Sequence, residues 1–318
     1  MHRGTGQASF ADAFVTGGGN ARLERIAGLI DWTSVEAVLS GIYASGTGRP
    51  AYPPLLLLKV LLLESWYGLS DPMMEEALGD RLSFRRFVGL GLNEQVPDHS
   101  TISRFRSLLA ERGLAERVFG EVARQLDGKG LMVKQGTLID ATLVQAAAAE
   151  PPKQKGGGVS EVDPDARWMK HGRDHAWFGY KLHMAVDQGS HLIRKAVLTP
   201  ANVQEVSLGP DLVMGDERAV YADKGYSAAR LREHLRQGAI KDRVQRRAHW
   251  RKAPLRPIEI KRNVLIGRIR GRIEGVFGTL KRSYGLARMR FMGIARNTAA
   301  TLLTLTAWNL ARAADRTA

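Results

Sequence analysis

The chain has 318 residues, no cysteine, and 47 Lys and Arg against 32 Asp and Glu, a formal net charge of +15. This length predicts two domains, and the lack of cysteine excludes a disulfide framework, a thiolate zinc site and a cysteine nucleophile, as fits a reducing cytoplasm. Residues 1–10 lack a signal peptide's apolar stretch and Lys59 breaks the longest apolar run, Leu55–Leu63, so no membrane partner is expected, and the basic excess points to nucleic acid.

The first 130 residues read as helices separated by turn residues. Pro53-Pro54 opens an apolar helix through Tyr67 that Gly68 stops, and Asp71-Pro72 starts a second that Gly79 closes. Ser83 caps a short third over 84–88. Pro97-Asp98-His99-Ser100 leads into a helix over Thr101–Arg112 with Gly113 as its stop, and another helix follows over Ala115–Leu126. On the 101–112 helix Ile102, Phe105, Leu108 and Leu109 share a face, while Arg104 and Arg106 point elsewhere and are candidate DNA contacts. If this set is a helix-turn-helix, Thr101, Ser103 and Arg104 lie near base edges; an assembly helix is the other reading.

After Gly128 the pattern changes. GTLIDATLV (136–144) is short, apolar and β-branched, the mark of a buried strand, and the low-complexity stretch 146–160 reads as a loop. Strands over 180–187 and 191–199 flank Gln188-Gly189-Ser190 as a hairpin. A helix around 202–213, a strand over 218–223, the turn Lys224-Gly225-Tyr226 and a Ser227-capped helix ending at Gly238 follow, predicting a mixed α/β sheet. Leu302, Leu303, Leu305, Trp308 and Leu310 mark a packed C-terminal helix.

The charge is not spread evenly. Residues 241–290 hold sixteen Lys and Arg against Asp242, Glu259 and Glu274, a net +13, whereas the remaining 268 residues carry +2. At about 100° per residue, a helix over 266–282 puts Ile266, Ile269, Ile273, Val276 and Leu280 on one stripe, with Arg270, Glu274 and Lys281 along its border. Gly267, Gly271, Gly275 and Gly278 form the next strip and Arg268, Arg272 and Arg282 the one beyond. Interior glycines cost a helix about 1 kcal/mol each, which suggests close approach there by the sheet or by a ligand.

Among the acids, Asp140 stands inside an apolar strand, where an unpaired carboxylate is costly. Asp223 ends a strand and could serve only as a turn former. Glu274 could be a surface acid paired with Arg270 at i, i+4. Together the three are hard oxygen ligands suited to Mg²⁺ or Mn²⁺, and two such ions support phosphodiester displacement. His171 and His175 have ligand-like spacing, but without cysteine or an HExxH motif a zinc site is not expected. Trp168, Trp177, Phe178 and Tyr180 could stack on bases, although packing at a strand entry is the plainer reading.

At these residues the sequence resembles the DDE transposases of bacterial insertion sequences, specifically the insertion-sequence-five family. The segments that carry the resemblance are PDHSTISRFR (97–106), LIDATLV (138–144), WFGYKLHMAVD (177–187), TPANV (199–203), YADKGYS (221–227) and RGRIEGVFGTLKRSYGL (270–286), in the family's order. The resemblance implies a helical N-terminal DNA-binding or assembly domain over 1–130. It implies an RNase H-like catalytic domain over 131–318, a mixed sheet flanked by helices and including the C-terminal helix. Asp140, Asp223 and Glu274 would be the catalytic and metal-binding triad, with Arg270 and Lys281 on phosphate. Gly267 stands where the family's signature has a tyrosine. The implied activity is hydrolysis of double-stranded DNA at the element's terminal repeats, then attack of the freed 3′-hydroxyl on target DNA, by a homo-oligomer on DNA at the bacterial nucleoid. The alternatives are a non-catalytic, DNA-binding remnant that represses, and a metal-dependent nuclease without strand transfer.

Overall fold

Caps and stops written in the sequence set most helix ends of the N-terminal region. In the computed structural model, which describes residues 19–43, 50–151, 159–171, 175–248 and 254–317, α1 (Ala21–Leu29) starts on Asn20 and α2 (Trp32–Val38) on Asp31, each side chain accepting a backbone N–H of its first turn. Neither was expected from the sequence. The apolar α3 (Pro54–Tyr67) stops at Gly68, which adopts φ +64, and α4 (Asp71–Asp80) and α5 (Leu82–Val88) follow. The residue before α5 is Arg81, so Ser83 is inside the helix rather than its cap. Asp98 caps α6 (His99–Glu111) by accepting from Thr101 N at 2.7 Å, and Gly113 at φ +62 precedes α7 (Leu114–Gly128).

Leucines of α3 are buried on all sides, and its one cation, Lys59, lies 4.8 Å from the ring of Trp32 and 5.4 Å from that of Phe87. The final helix, α12 (Ile294–Arg316), buries Leu302, Leu303, Leu305 and Leu310. Residues 298–318 form one compact unit with residues 1–129, and Trp66 Nε1 donates to the Ala307 carbonyl at 2.8 Å. The sequence expectation had placed this helix with the sheet; its apolar face completes the helical core instead.

The second unit spans Gly130–Asn297. Its sheet contains β1 (Thr137–Gln145), β2 (Arg167–His171), β3 (His175–Asp187), β4 (Ile193–Pro200), β5 (Ala219–Ala222) and β6 (Lys241–Val244). Antiparallel pairing joins β3 to β1, β2 and β4, while β1–β5 and β5–β6 are parallel. Antiparallel β4, β3 and β1 continued by parallel β5 and β6 make the RNase H-like order that the resemblance implied, with β2 as an addition along the first part of β3. Between β4 and β5 lies α8 (Glu205–Leu208), between β5 and β6 lies α9 (Ala229–Gln237), and α10 (Pro257–Arg270) and α11 (Arg272–Ser283) follow β6. Ile139, Ala185, Leu212, Val220, Tyr226 and Leu231 form a buried cluster on one side of the sheet.

Several expectations are revised. The helix over 202–213 is one turn of α8 plus a 3-10 turn at Pro210–Leu212. Ser227 does not cap α9; its hydroxyl accepts from Arg232. The helix over 266–282 is divided at Gly271. The strands β2 and β6 were not foreseen. His171 ends β2 and His175 opens β3, so they are not one turn apart on a helix. Part of the low-complexity loop, 152–158, lies outside the described residues. Among the described residues no helix is long and apolar enough to cross a membrane.

Candidate active site

Strand register brings the first two acids together. Ile139 of β1 is level with Ala222 of parallel β5, so Asp140, still inside β1, and Asp223, the first residue after β5, each follow a paired position. Asp140 is level with Met184 of β3, and α11 contacts β1. Asp223 Oδ1 accepts the Gly225 N–H at 2.8 Å, so the turn-forming role open to it in the sequence is real and coexists with its place beside Asp140.

The helices bring the third acid near. Ile266, Ile273, Val276 and Leu280 are buried as the helical stripe required, and Ile269 is half-buried. This seats Arg270 at the end of α10, where Nη1 donates to Asp140 Oδ2 at 2.5 Å and Nη2 lies 3.5 Å from Glu274 Oε1. Arg270 therefore links the first acid to the third. Glu274 itself is open to solvent, its side chain 67% exposed. The glycine strip is closely approached at one end only: a Cβ on Gly271 would meet the Gly267 carbonyl at 3.3 Å, whereas nothing lies within 4 Å of one on Gly275 and the nearest atom to one on Gly278 is 3.7 Å away. At Gly267, where the family signature has tyrosine, a Cβ would meet the Gln245 amide at 3.3 Å.

The basic residues fall into three groups. Arg104, Arg268, Arg272 and Arg282 are exposed. Lys281 is half-buried, donates to the Leu143 carbonyl at 2.9 Å, and burial lowers its pKa. Arg106 is corrected as a DNA contact: it is buried, donating to Glu64 at 2.5 Å and to Asp71 at 2.7 and 2.9 Å. Phe178 and Tyr180 are likewise core residues, whereas Trp177 is exposed.

The structure adds residues that the sequence reading missed. Glu205, at the start of α8, lies 3.6 Å from Nζ of Lys181, a buried β3 residue that also donates to the Val203 carbonyl at 2.9 Å. Tyr226 is fully buried, and its hydroxyl is 3.5 Å from His183 Nδ1. Burial raises the Asp140 carboxyl to about 6 against the pull of Arg270, with Asp223 and Glu205 adding to the rise. Burial also raises Glu205, opposed by Lys181 and reinforced by Asp223. For Tyr226, burial and then Glu205, Asp140 and Asp223 push the phenol upward, so it stays protonated. Burial lowers His183 to about 4, with Lys181 adding to the effect, so the ring is neutral. Lys181, His183 and Tyr226 lie inside the quoted segments WFGYKLHMAVD and YADKGYS without having been singled out as site residues, whereas Glu205 lies outside them, two residues past the end of TPANV.

Asp140 within β1, Asp223 directly after β5 and Glu274 on α11 thus stand with Arg270 and a basic flank. A family model described as the transposase DDE domain matches residues 131–310, and one described as a transposase domain (DUF772) matches residues 10–108. The chain belongs to the DDE transposase family. The transposase also aligns with a piggyBac transposase solved as a synaptic complex with hairpin DNA, over 93% of this chain and 74% of that one, at 10% identity and a TM-score of 0.46. Membership of that family makes it a DNA-cleaving and DNA-transferring enzyme, and enzymes of this family generally use divalent metal ions.

The oxygen donors at Asp140, Asp223 and Glu274 fit a hard divalent cation. Among the described residues, no group of three or more acids or histidines is placed to hold a metal ion. Arg270 covers one Asp140 oxygen, so loading the site requires the guanidinium to shift. A buried Arg270 Nε without a protein acceptor gives that guanidinium capacity for a further anion.

Proposed function

We propose that Asp140, Asp223 and Glu274 are the catalytic, metal-holding carboxylates with which this transposase cuts double-stranded DNA at the terminal repeats of its element and joins the freed ends to target DNA. The observation that carries the reading is the pairing of Ile139 with Ala222 on parallel β1 and β5, each directly followed by an acid, with Arg270 linking Asp140 to Glu274. Two Mg²⁺ or Mn²⁺ ions held there supply activation of the attacking oxygen and charge stabilisation for the leaving one. Asp140 and Asp223 fix one side of the site from the rigid sheet. Glu274, from α11, closes on it when the scissile phosphate arrives. Arg270 restrains Asp140 until a phosphate takes its guanidinium, and Lys281 holds the neighbouring phosphate. Arg268, Arg272 and Arg282 contact the backbone of the bound duplex, and Arg104 contacts DNA from the helical unit. The working form is a homo-oligomer on DNA at the bacterial nucleoid, since two ends must be joined.

The test is Asp140→Asn. Mg²⁺-dependent cleavage of a duplex carrying the element's ends, and formation of joined product, should be lost while a gel shift with the same duplex persists. Retained cleavage would overturn the assignment.

A further inference from the structure

Four arginines gather around Asp242 at the outer edge of the sheet, where β6 is the last strand. We infer that this edge is a binding site for backbone phosphates of DNA, formed by Arg232 of α9, Arg243 of β6, Arg246 two residues beyond it and Arg262 of α10. The site stands apart from the catalytic acids and does not depend on their assignment. Asp242 is level with Val220 of β5, and Val220 with Thr137 of β1, three residues before Asp140. Two strand spacings, roughly 10 Å, separate this edge from β1. DNA seated here is therefore held by phosphates other than the scissile one.

Part of the cluster serves the fold. Arg262 donates through Nη1 to the Val244 carbonyl and through Nη2 to that of Asp242, both at 2.8 Å. The N–H groups of Lys241 and Gln245 face β5, so the carbonyls of Asp242 and Val244 point outward and the guanidinium seals the open edge. Asp242 Oδ1 lies 3.6 Å from Arg262 Nη2 and accepts the Val244 N–H at 2.8 Å. One arginine and one acid suffice for that seal; the other three arginines exceed it. Among the described residues, the side chains of Arg243 and Arg246 have no hydrogen-bond or ion-pair partner. Arg232 Nε is buried without a hydrogen-bond acceptor, with Asp242 Oδ2 standing 3.5 Å away. Arg246 is nonetheless fixed at the edge, since its N–H and carbonyl pair with the Asn263 side chain at 2.8 and 2.9 Å.

The charges are left unanswered. Glu259, whose charge also reaches Arg246, is taken by Arg256, accepting its backbone N–H at 3.1 Å. Burial lowers the pKa of Arg232 and Arg262, and neighbouring arginines add to the fall against the pull of Asp242. Around Arg106 the balance is reversed: its acids raise it in spite of burial. A phosphodiester accepts several guanidinium N–H bonds at once and supplies the negative charge that the cluster lacks.

The test is binding of a fluorescent duplex of arbitrary sequence to the full-length protein without Mg²⁺, across a salt series. Arg246→Gln removes a side chain that holds nothing in the fold. It should weaken binding about five-fold and reduce the slope of log affinity against log salt by about one, the loss of one phosphate contact. Arg230→Gln, the same charge change at an exposed position on α9, should alter affinity less than two-fold. Asp242→Asn, checked for folding by circular dichroism, should tighten binding about two-fold, whereas an edge seal alone predicts no gain. Equal effects of Arg246→Gln and Arg230→Gln, or no tightening in folded Asp242→Asn, would overturn the inference. Tripolyphosphate, titrated calorimetrically, separates the sources of phosphate. If Arg246→Gln weakens tripolyphosphate binding and leaves duplex affinity and salt slope unchanged, the edge takes a free oligophosphate and the DNA assignment is wrong.

Discussion

Each compact unit of this transposase contains an arginine set between two carboxylates, and the two sets serve opposite ends. In the helical unit Arg106 bridges Glu64 and Asp71, with side chains only 9%, 4% and 17% exposed. In the sheet unit Arg270 bridges Asp140 and Glu274, but Glu274 is 67% exposed and the charges of Asp223 and Glu205 also reach Asp140. The first set is closed and joins α3, the start of α4 and α6 into one core. The second is open at one end and holds more carboxylates than cations, as the proposed site for a cation and a phosphate requires. Pairing alone does not mark a functional arginine; what distinguishes the two is whether the set still has something left to bind.

Cutting each arginine is the sharpest way to break the comparison. Arg106→Ala should destabilise the helical unit by about 3–5 kcal/mol, because it takes the Arg106 cation from buried Glu64 and half-buried Asp71. Denaturant unfolding followed by tryptophan fluorescence reads this, and a change below about 1 kcal/mol would show that the set is not structural. In the sheet unit the largest stability effect is assigned to His183 rather than to Arg270. Its folded pKa of about 4 lies below the ordinary value of 6.5, so the unfolded chain takes up the proton first. The contribution is complete above pH 6.5 and is lost as pH falls toward 4, about 3 kcal/mol in all. His183→Gln should flatten that part of the stability–pH curve, and an unchanged slope would remove His183 as its source. Arg270→Ala should be the gentlest on folding, below about 1 kcal/mol, yet slow strand cleavage about a hundred-fold as a positioned cation is lost. If Arg270→Ala unfolds the protein and Arg106→Ala only slows cleavage, the two roles have been assigned the wrong way round.

Much of this was legible in the sequence, and the failures have physical causes. Asp140 declared itself because an acid in an apolar, β-branched strand has few innocent explanations. The stripe from Ile266 to Leu280 fixed which edge of the helix carries Arg270 and Glu274, even though Gly271 divides it. Arg106 was open to a better reading: on a helix it falls about 40° from Ile102, at the border of the buried stripe, and chemical type misled where angle left burial open. Glu205 could not be found this way. Its helix has four residues, and its partner Lys181 is brought to it by the β3–β4 pairing rather than by any local spacing. The strand β6 is equally silent, since KDRV has no apolar alternation and is a strand because it pairs in parallel with β5.

The central claim is that Asp140 and Asp223 act as one site, and the rate of Mg²⁺-dependent cleavage in single and double variants tests it most directly. Groups that work as a unit are strongly non-additive. Asp140→Asn and Asp223→Asn should each lower cleavage on the order of a thousand-fold or more, with the double variant no slower than the worse single variant within a few-fold. Full activity in Asp223→Asn, or losses that multiply in the double variant, would contradict a shared centre.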